Sequence, residues 1–139
     1  MMTFLTPLKR IPTPKGEVRH GIRVDDAGFA GFGEAYISEI FSGETKGWKR
    51  HRLMTMNLIV LKGTINFSVY DESSNECKKF LLSEENKHLY YRLTVPPGLW
   101  MAFRGEAMGS SLVLNIASHV HDPDEAEVRE INEFREFRP

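Results

Sequence analysis

Short runs in which apolar and polar residues alternate dominate the chain. The clearest is Thr64–Tyr70, where every second residue is apolar, and alternation with period two predicts a strand with one buried face. Just before it, the apolar run Asn57–Leu61 ends at Lys62-Gly63, which indicates two strands joined by a tight turn.

Further strands are predicted on both sides of this pair. Ala35–Phe41 and Ser111–Ala117 have β-type patterns, and the second is almost wholly apolar, which favours an interior place in a sheet. His88–Val95 and Trp100–Phe103 flank Pro96-Pro97-Gly98, a turn that the interior of a central strand would not tolerate. At least six strands are therefore expected.

The C-terminal tail has a different pattern. In Asp124–Phe137 apolar residues recur three apart and share one helical face. Asp122 and Pro123 supply an N-cap and a first-turn proline just before it. We therefore expect a short C-terminal helix.

Glycine and proline recur at short intervals between the apolar runs. Many short strands with turn signals every eight to twelve residues or so are typical of an all-β sandwich or barrel, and a jelly roll is the natural candidate. The chain has 139 residues and no linker segment, which matches a single domain spanning residues 1–139.

Composition excludes several classes of protein. The chain is 41% hydrophobic and 27% charged, with 18 Lys and Arg against 19 Asp and Glu, so no overall charge recruits nucleic acid or an acidic membrane. The single cysteine, Cys77, cannot form an intramolecular disulfide. No apolar stretch has the length of a signal peptide or a membrane span. We therefore expect a cytoplasmic protein with neither nucleic acid nor membrane as a partner.

The densest cluster of candidate chemistry is Lys46–Arg52. In an extended segment Lys49 and His51 project to one face, and Trp48 and Arg50 project to the other. On the inner face of a barrel this pair would be costly unless it is solvated or holds an anion. The histidine could then act as a general base and the lysine as a fixed positive charge. The alternative is a basic edge strand that faces water.

A second candidate segment surrounds the Pro-Pro-Gly turn. Tyr91, Arg92 and Trp100 lie close to this turn in sequence, and aromatic rings with an arginine suit a base or sugar ring and a phosphate. Core packing explains the aromatic residues equally well.

A third candidate is the histidine pair His119 and His121. Their spacing places them on one face of a strand, a geometry that could bind a metal ion. The segment supplies only two ligands, because Asp122 points to the other face. Surface histidines at the end of a strand are the alternative interpretation.

Taken together, these segments resemble the cupin-type dTDP-4-dehydrorhamnose 3,5-epimerases and their short WxcM-like relatives, the sugar-nucleotide isomerases of surface-polysaccharide clusters. The resemblance covers about Leu8 to Pro123, and its most specific parts are Gly47–His51 and Val95–Trp100. The segments that carry it are Gly33–Phe41, Lys46–His51, Met54–Gly63, Tyr70-Asp71, Arg92–Phe103 and Leu112–Pro123.

The resemblance implies a cupin-type jelly-roll barrel, a homodimer and a dTDP-hexose substrate in the barrel. In these epimerases a histidine removes the proton next to the 4-keto group, and a tyrosine opposite returns a proton. Cationic side chains hold the keto oxygen and the pyrophosphate.

The chain departs from the epimerase pattern at three positions. Lys49 stands where the base histidine is expected, with His51 two residues further on. Met101 replaces a histidine after the Pro-Pro-Gly-x-Trp motif, and Asn115 stands where the catalytic tyrosine is expected. Of the positions that bind metal in other cupins, only His51 suits a metal ion, because the others hold Lys49, Met56 and Met101. We therefore predict no metal and no cofactor.

The residues and the resemblance together predict a metal-free epimerase or ketoisomerase for a dTDP-4-keto-6-deoxyhexose in surface-polysaccharide sugar biosynthesis. His51 is the predicted base and Lys49 holds the oxyanion, or Lys49 is itself the base if burial lowers its pKa. The candidate substrate-binding residues are Arg50, Asn57, Tyr91, Arg92, Trp100, Asn115, His119 and His121.

Two alternatives remain open from the sequence. One is a cupin that binds a nucleotide-sugar or a sugar without turning it over. The other is a metal-dependent cupin that uses His119 and His121. The predicted enzyme and the binding protein both require that Lys49 and His51 face inward, into a cavity that accepts a hexose ring.

Overall fold

In the computed structural model, residues 2–139 are described, and their strands form two five-stranded antiparallel sheets that face each other. The first sheet has the order β1 (Phe4–Pro7), β9 (Tyr91–Val95), β6 (Met56–Lys62), β11 (Ser111–Ala117) and β4 (Glu34–Ile40). The second has the order β12 (Ala126–Val128), β5 (Thr45–His51), β10 (Trp100–Gly105), β7 (Thr64–Asp71) and β8 (Glu76–Ser83). A separate hairpin consists of β2 (Arg10–Thr13) and β3 (Gly16–Arg19).

The predicted all-β jelly-roll class is confirmed, as is the interior position of β11, which pairs with β4 on one side and β6 on the other. The barrel is open. Within residues 2–139 the two sheets stay separate, with β1 and β4 at the edges of one and β12 and β8 at the edges of the other.

The strands β6 and β7 are joined by a tight turn, as the sequence predicts, but they do not pair with each other. β6 pairs with β9 and β11, whereas β7 pairs with β8 and β10. Gly63 in the turn has φ of +80°, a conformation that glycine adopts at little cost. The turn therefore carries the chain from one sheet to the other.

The main core lies between the sheets and is built from the inward positions of alternating strands. In β7 these positions are the apolar residues whose alternation predicts the strand. The buried residues of this core are Ile40, Met54, Met56, Leu58, Val60, Ile65, Phe67, Val69, Leu82, Leu93, Val95, Met101, Val113 and Ala117.

In the C-terminal tail the helical structure is less extensive than the sequence predicts. A 3₁₀ turn at Pro123–Glu125 begins as predicted, with the Asp122 side chain accepting a hydrogen bond from the amide of Asp124 at 2.9 Å. The chain then forms β12, and helical structure resumes only as a 3₁₀ helix at Ile131–Phe137. The unpaired edge of β5 offers backbone hydrogen bonds to residues 126–128, and these bonds outweigh the local helical pattern.

The 3₁₀ helix Ile131–Phe137 covers the outer face of the second sheet. Four buried residues there form a separate apolar cluster, against which the tail packs three half-buried side chains. The sheet contributes Trp48, Tyr70, Trp100 and Ala102, and the tail contributes Ile131, Phe134 and Phe137.

A long loop over residues 20–33 covers part of the outer face of the first sheet. At Gly28, which has φ of +94°, a Cβ atom would lie 2.7 Å from Thr94 Oγ1, so only glycine fits this close approach. The carbonyl of Gly28 accepts a hydrogen bond from Asn57 Nδ2 at 2.9 Å. Among residues 2–139 no helix is long and apolar enough to cross a membrane.

Candidate active site

A cavity of about 210 Å³ opens between the two sheets, on the side where β4 and β5 lie. Its wall contains two lysines and a histidine and, within the described part of the chain, no carboxylate. Such a lining suits an anionic ligand or a reaction that develops negative charge. The lining residues are Tyr36, Ser38, Lys46, Gly47, Lys49, His51, Met56, Met101 and Phe103.

Lys49 and His51 both face this cavity because they occupy alternate positions of β5. Trp48 and Arg50 face the opposite side of the sheet, where Trp48 is buried and Arg50 lies over the ring of Trp100. The inward orientation that the spacing predicts is therefore present.

The side chain of His51 is paired with a carboxylate. His51 is only 3% exposed, and its Nδ1 atom contacts Glu125 Oε1. The second carboxylate oxygen, Glu125 Oε2, accepts hydrogen bonds from the backbone amides of residues 52, 53 and 54 at 3.0, 2.9 and 3.3 Å. Glu125 is thus fixed from both sides.

These contacts decide the protonation of the pair. Burial acts to raise the pKa of Glu125, but the hydrogen bonds from His51 and from the amides of Leu53 and Met54 outweigh it and hold that pKa below its usual range. An ionised Glu125 accepts the proton of Nδ1 and leaves Nε2 of His51 as the basic nitrogen for the cavity. This arrangement is suited to general base catalysis.

The pairing gives a prediction for the pH dependence of stability. Because the folded-state pKa of Glu125 is lowered, its stabilisation is present above the unfolded-state pKa of about 4.3 and is lost as the pH falls through the folded-state value. At pH 7, Glu125→Gln should lower the free energy of unfolding by about 1–3 kcal/mol. Below about pH 4 the difference from wild type should shrink. Urea unfolding at a series of pH values measures it.

The matched control for this prediction is Glu130→Gln, which changes an exposed carboxylate on the same segment. It should leave the free energy of unfolding within about 0.5 kcal/mol of wild type at every pH. A loss for Glu125→Gln that stays constant down to pH 3 would contradict the ionised pair.

A phenol lies across the cavity from β5. Tyr36, on the inner face of β4, lines the cavity, and its hydroxyl oxygen accepts a hydrogen bond from Asn115 Nδ2 at 2.9 Å. Asn115 is buried on β11 and also accepts a bond from the amide of Asn57 at 3.2 Å. The asparagine that stands at the expected tyrosine position therefore positions a tyrosine of the neighbouring strand.

Two other candidate substrate-binding residues lie on the outer face of the second sheet. Arg50 is held by Glu127 at 3.0 Å and by Glu72 at 3.2 Å. Trp100 is buried under the tail and donates its indole N–H to Glu72 at 3.1 Å. Neither residue lines the cavity, and their contact with substrate stays a prediction.

Arg92 and Asn57 lie on the outer face of the first sheet, beneath the loop over residues 20–33. Arg92 is 0% exposed and donates to the carbonyls of Gly21 and Ala27 at 2.7 and 3.0 Å and to Asp26 at 3.2 Å. It also donates to Asn57 Oδ1 at 3.2 Å. The geometry gives both residues the role of anchoring this loop, and a role in phosphate binding stays untested.

The remaining candidates are also outside the cavity lining. Tyr91 packs against the main core, while His119 and His121 are exposed on the segment that follows β11. His119 Nδ1 contacts Ser118 Oγ at 2.9 Å. No group of three or more His, Cys, Asp or Glu residues within positions 2–139 is arranged to hold a metal ion.

Three cavity residues with polar side chains are missing from the sequence-based site, as is Glu125. Tyr36 and Ser38 had a usable signal, because they are polar residues at alternate positions of a predicted strand. Lys46 lies within the basic cluster, and its Nζ atom donates to the carbonyl of Glu39. Glu125 had no signal, since 74 residues separate it from His51.

Comparisons with known proteins agree with this fold. The model of the family described as FdtA: WxcM-like, C-terminal matches residues 3–139. A dTDP sugar isomerase from Desulfovibrio desulfuricans G20 is 32% identical, covers 99% of this chain and 88% of its own, and superposes with a TM-score of 0.87. No curated protein matches the chain.

Two more distant structures show the same fold. A variant of the 3,4-ketoisomerase from Thermoanaerobacterium thermosaccharolyticum, in complex with TDP-4-keto-6-deoxyglucose, is 20% identical over 90% of this chain and 86% of its own, with a TM-score of 0.75. A dTDP-4-dehydrorhamnose 3,5-epimerase from Elizabethkingia anophelis is 15% identical over 94% and 76%, with a TM-score of 0.76. The resemblance drawn from the sequence is confirmed: the chain belongs to the WxcM-like, C-terminal family and is related to sugar-nucleotide isomerases.

Proposed function

We propose that the protein is a ketoisomerase or epimerase that acts on a dTDP-4-keto-6-deoxyhexose. The observation that carries this proposal is the pairing of the buried Glu125 with His51, which lines the cavity beside Lys49. The 32% identical dTDP sugar isomerase supports the class of substrate.

The reaction begins with removal of the proton on C3, next to the 4-keto group. His51 Nε2 takes this proton, and the carboxylate of Glu125 stabilises the imidazolium that forms. The electron pair of the broken C–H bond moves toward the keto oxygen and gives an enediolate.

The developing negative charge needs a nearby cation. Lys49 lies on the same face of β5 as His51 and supplies an ammonium group to the cavity. Low polarity in the cavity strengthens the attraction of this group for the oxyanion. Lys46 lines the same cavity, and we assign it to the phosphate side of the ligand.

The product depends on where the proton returns. Protonation at C4, with the C3 hydroxyl proton passing to the oxygen on C4, gives the 3-keto isomer, whereas protonation at C3 from the opposite face inverts that centre. Tyr36, on the facing sheet, is the candidate proton donor, because Asn115 fixes its hydroxyl oxygen and leaves the O–H directed away from that bond. Both products share the same enediolate, so His51 and Lys49 have the same roles in each.

Proton exchange with solvent tests this proposal. The protein is incubated in D₂O with dTDP-4-keto-6-deoxyglucose, and the C3 and C5 proton signals are followed by NMR. We expect loss of the C3 signal and new signals of an isomer. Binding without exchange at any pH from 6 to 9 would make the protein a nucleotide-sugar-binding cupin, and absence of binding would overturn the proposed substrate class.

We also propose that the protein is a homodimer and that it works in the cytoplasm, where its single cysteine stays reduced. The outer face of β4 and β11 supports the dimer. Ile37 is 57% exposed there and pairs with the half-buried Leu114. An apolar face that is used in the same way by both copies gives a closed two-fold dimer.

The dimer gives a second testable result. Ile37→Glu should shift the molar mass in solution from about twice the 16.0 kDa of one chain to that of a monomer, because the carboxylate would be buried unpaired in the interface. Light scattering after size exclusion measures this. Ile11→Glu, an equivalent change on the β2–β3 hairpin, is the control and should remain dimeric. A wild-type monomer contradicts the proposed dimer.

A further inference from the structure

Glu125 directly precedes the strand β12, which is attached to β5 by its backbone pairing and by the ion pair of Glu127 with Arg50 at 3.0 Å. It has three residues, lies at the edge of its sheet where it pairs only with β5, and ends at Val128, which is 69% exposed. Short edge strands with few buried side chains separate readily from a sheet. The residues that follow β12 add further bonds to β5.

Trp48 provides the connection. Its side chain is on the outer face of β5, between inward-facing neighbours. Its backbone amide donates to the carbonyl of Arg129 at 3.0 Å and its carbonyl accepts from the Arg129 amide at 3.0 Å. Its indole N–H donates to the carbonyl of Ile131 at 3.1 Å. The residues just after β12 are thus bonded to the strand that carries Lys49 and His51.

Phe134 holds this connection against the sheet. Its ring meets the ring of Trp48 edge-on at 5.6 Å, and it lies 4.8 Å from Tyr70 and 5.5 Å from Trp100 between ring centroids. Phe137 belongs to the same cluster but stacks on Tyr70 of β7, at 4.5 Å. Of these two phenylalanine rings, Phe134 is therefore the one paired with the ring of Trp48.

We propose that Phe134 is a positioning residue for the reaction: through Trp48 and the Arg129 backbone it holds β12, and so Glu125, against His51. The inference rests on the proposed function. Loosening the tail would free Glu125 from the loop amides and from Nδ1 of His51, and the imidazole would lose its fixed orientation.

The test compares two aromatic truncations on the same surface. Phe134→Ala should lower kcat for C3 exchange by about 10- to 100-fold with little change in KM, whereas Phe137→Ala should leave kcat within about twofold. Thermal unfolding of both variants separates positioning from general loss of stability. Phe134→Leu, which keeps an apolar contact with Trp48, should restore most of kcat.

A double-mutant cycle shows whether Phe134 acts through Glu125. In a Glu125→Gln background, Phe134→Ala should lower kcat by no more than about twofold, because the contact it positions is already lost. Equal losses of kcat in the two truncations, or fully additive effects in the cycle, would overturn the inference. If the wild-type protein shows no exchange, the proposed function fails first, and the two failures are distinguishable.

Discussion

Replacement of His51 by asparagine is expected to lower the rate of C3 proton exchange by about 10²- to 10⁴-fold, the usual contribution of a positioned general base. Asparagine keeps a polar side chain of similar reach toward Glu125 but cannot take up a proton at the position of Nε2. Because binding of the nucleotide does not need this nitrogen, KM and the affinity for dTDP should change little.

The matched control is His88→Asn, which makes the same chemical change at an exposed histidine in the 3₁₀ turn Lys87–Leu89. It should exchange the C3 proton at the wild-type rate. If His51→Asn keeps at least a tenth of the wild-type rate, His51 is not the base, and Lys49→Met would then be the next variant to measure.

Replacement of Arg92 by methionine is expected to lower the free energy of unfolding by about 3–5 kcal/mol, the cost of breaking a buried charged network by removing one partner. Arg92 is fully buried and donates to two loop carbonyls, to Asp26 and to Asn57. Without the guanidinium the carbonyls of Gly21 and Ala27 and the carboxylate of Asp26 each lose a charged donor, and the loop over residues 20–33 loses its anchor. Urea unfolding measures the loss.

Arg23→Met is the control for this prediction, because Arg23 lies on the same loop with its side chain 74% exposed. It should change stability by less than about 0.5 kcal/mol. Arg92→Lys keeps the charge and replaces Arg92→Met in the unfolding measurement if the methionine variant fails to fold. A variant of normal stability with a strongly raised KM would instead assign Arg92 to phosphate binding.

The contrast between His51 and Arg92 shows what local pattern can predict. The spacing of two between Lys49 and His51 in an extended segment is enough to place both on one face. By the same rule Arg92 must point away from its inward neighbours Tyr91 and Leu93. The outer face around Arg92 is covered by a loop some 70 residues earlier in the chain, and the sequence near Arg92 does not predict this contact.

The tail shows how an available edge overrides a local helical pattern. Residues 124–137 have apolar spacing for a helix, yet residues 126–128 form a strand because the edge of β5 is open beside them. Helix propensity contributes only tenths of a kcal/mol per residue, whereas a free sheet edge satisfies several backbone groups at once.

By itself the sequence determined the all-β class, most of the strands and the inward direction of Lys49 and His51, because each depends on a period of two within a few residues. Only the tertiary structure decided that Glu125 meets His51, that Asn115 positions Tyr36 and that Arg92 is an anchor beneath a loop. These contacts join segments 65 or more residues apart, and their partners are selected by sheet order and packing rather than by any local pattern.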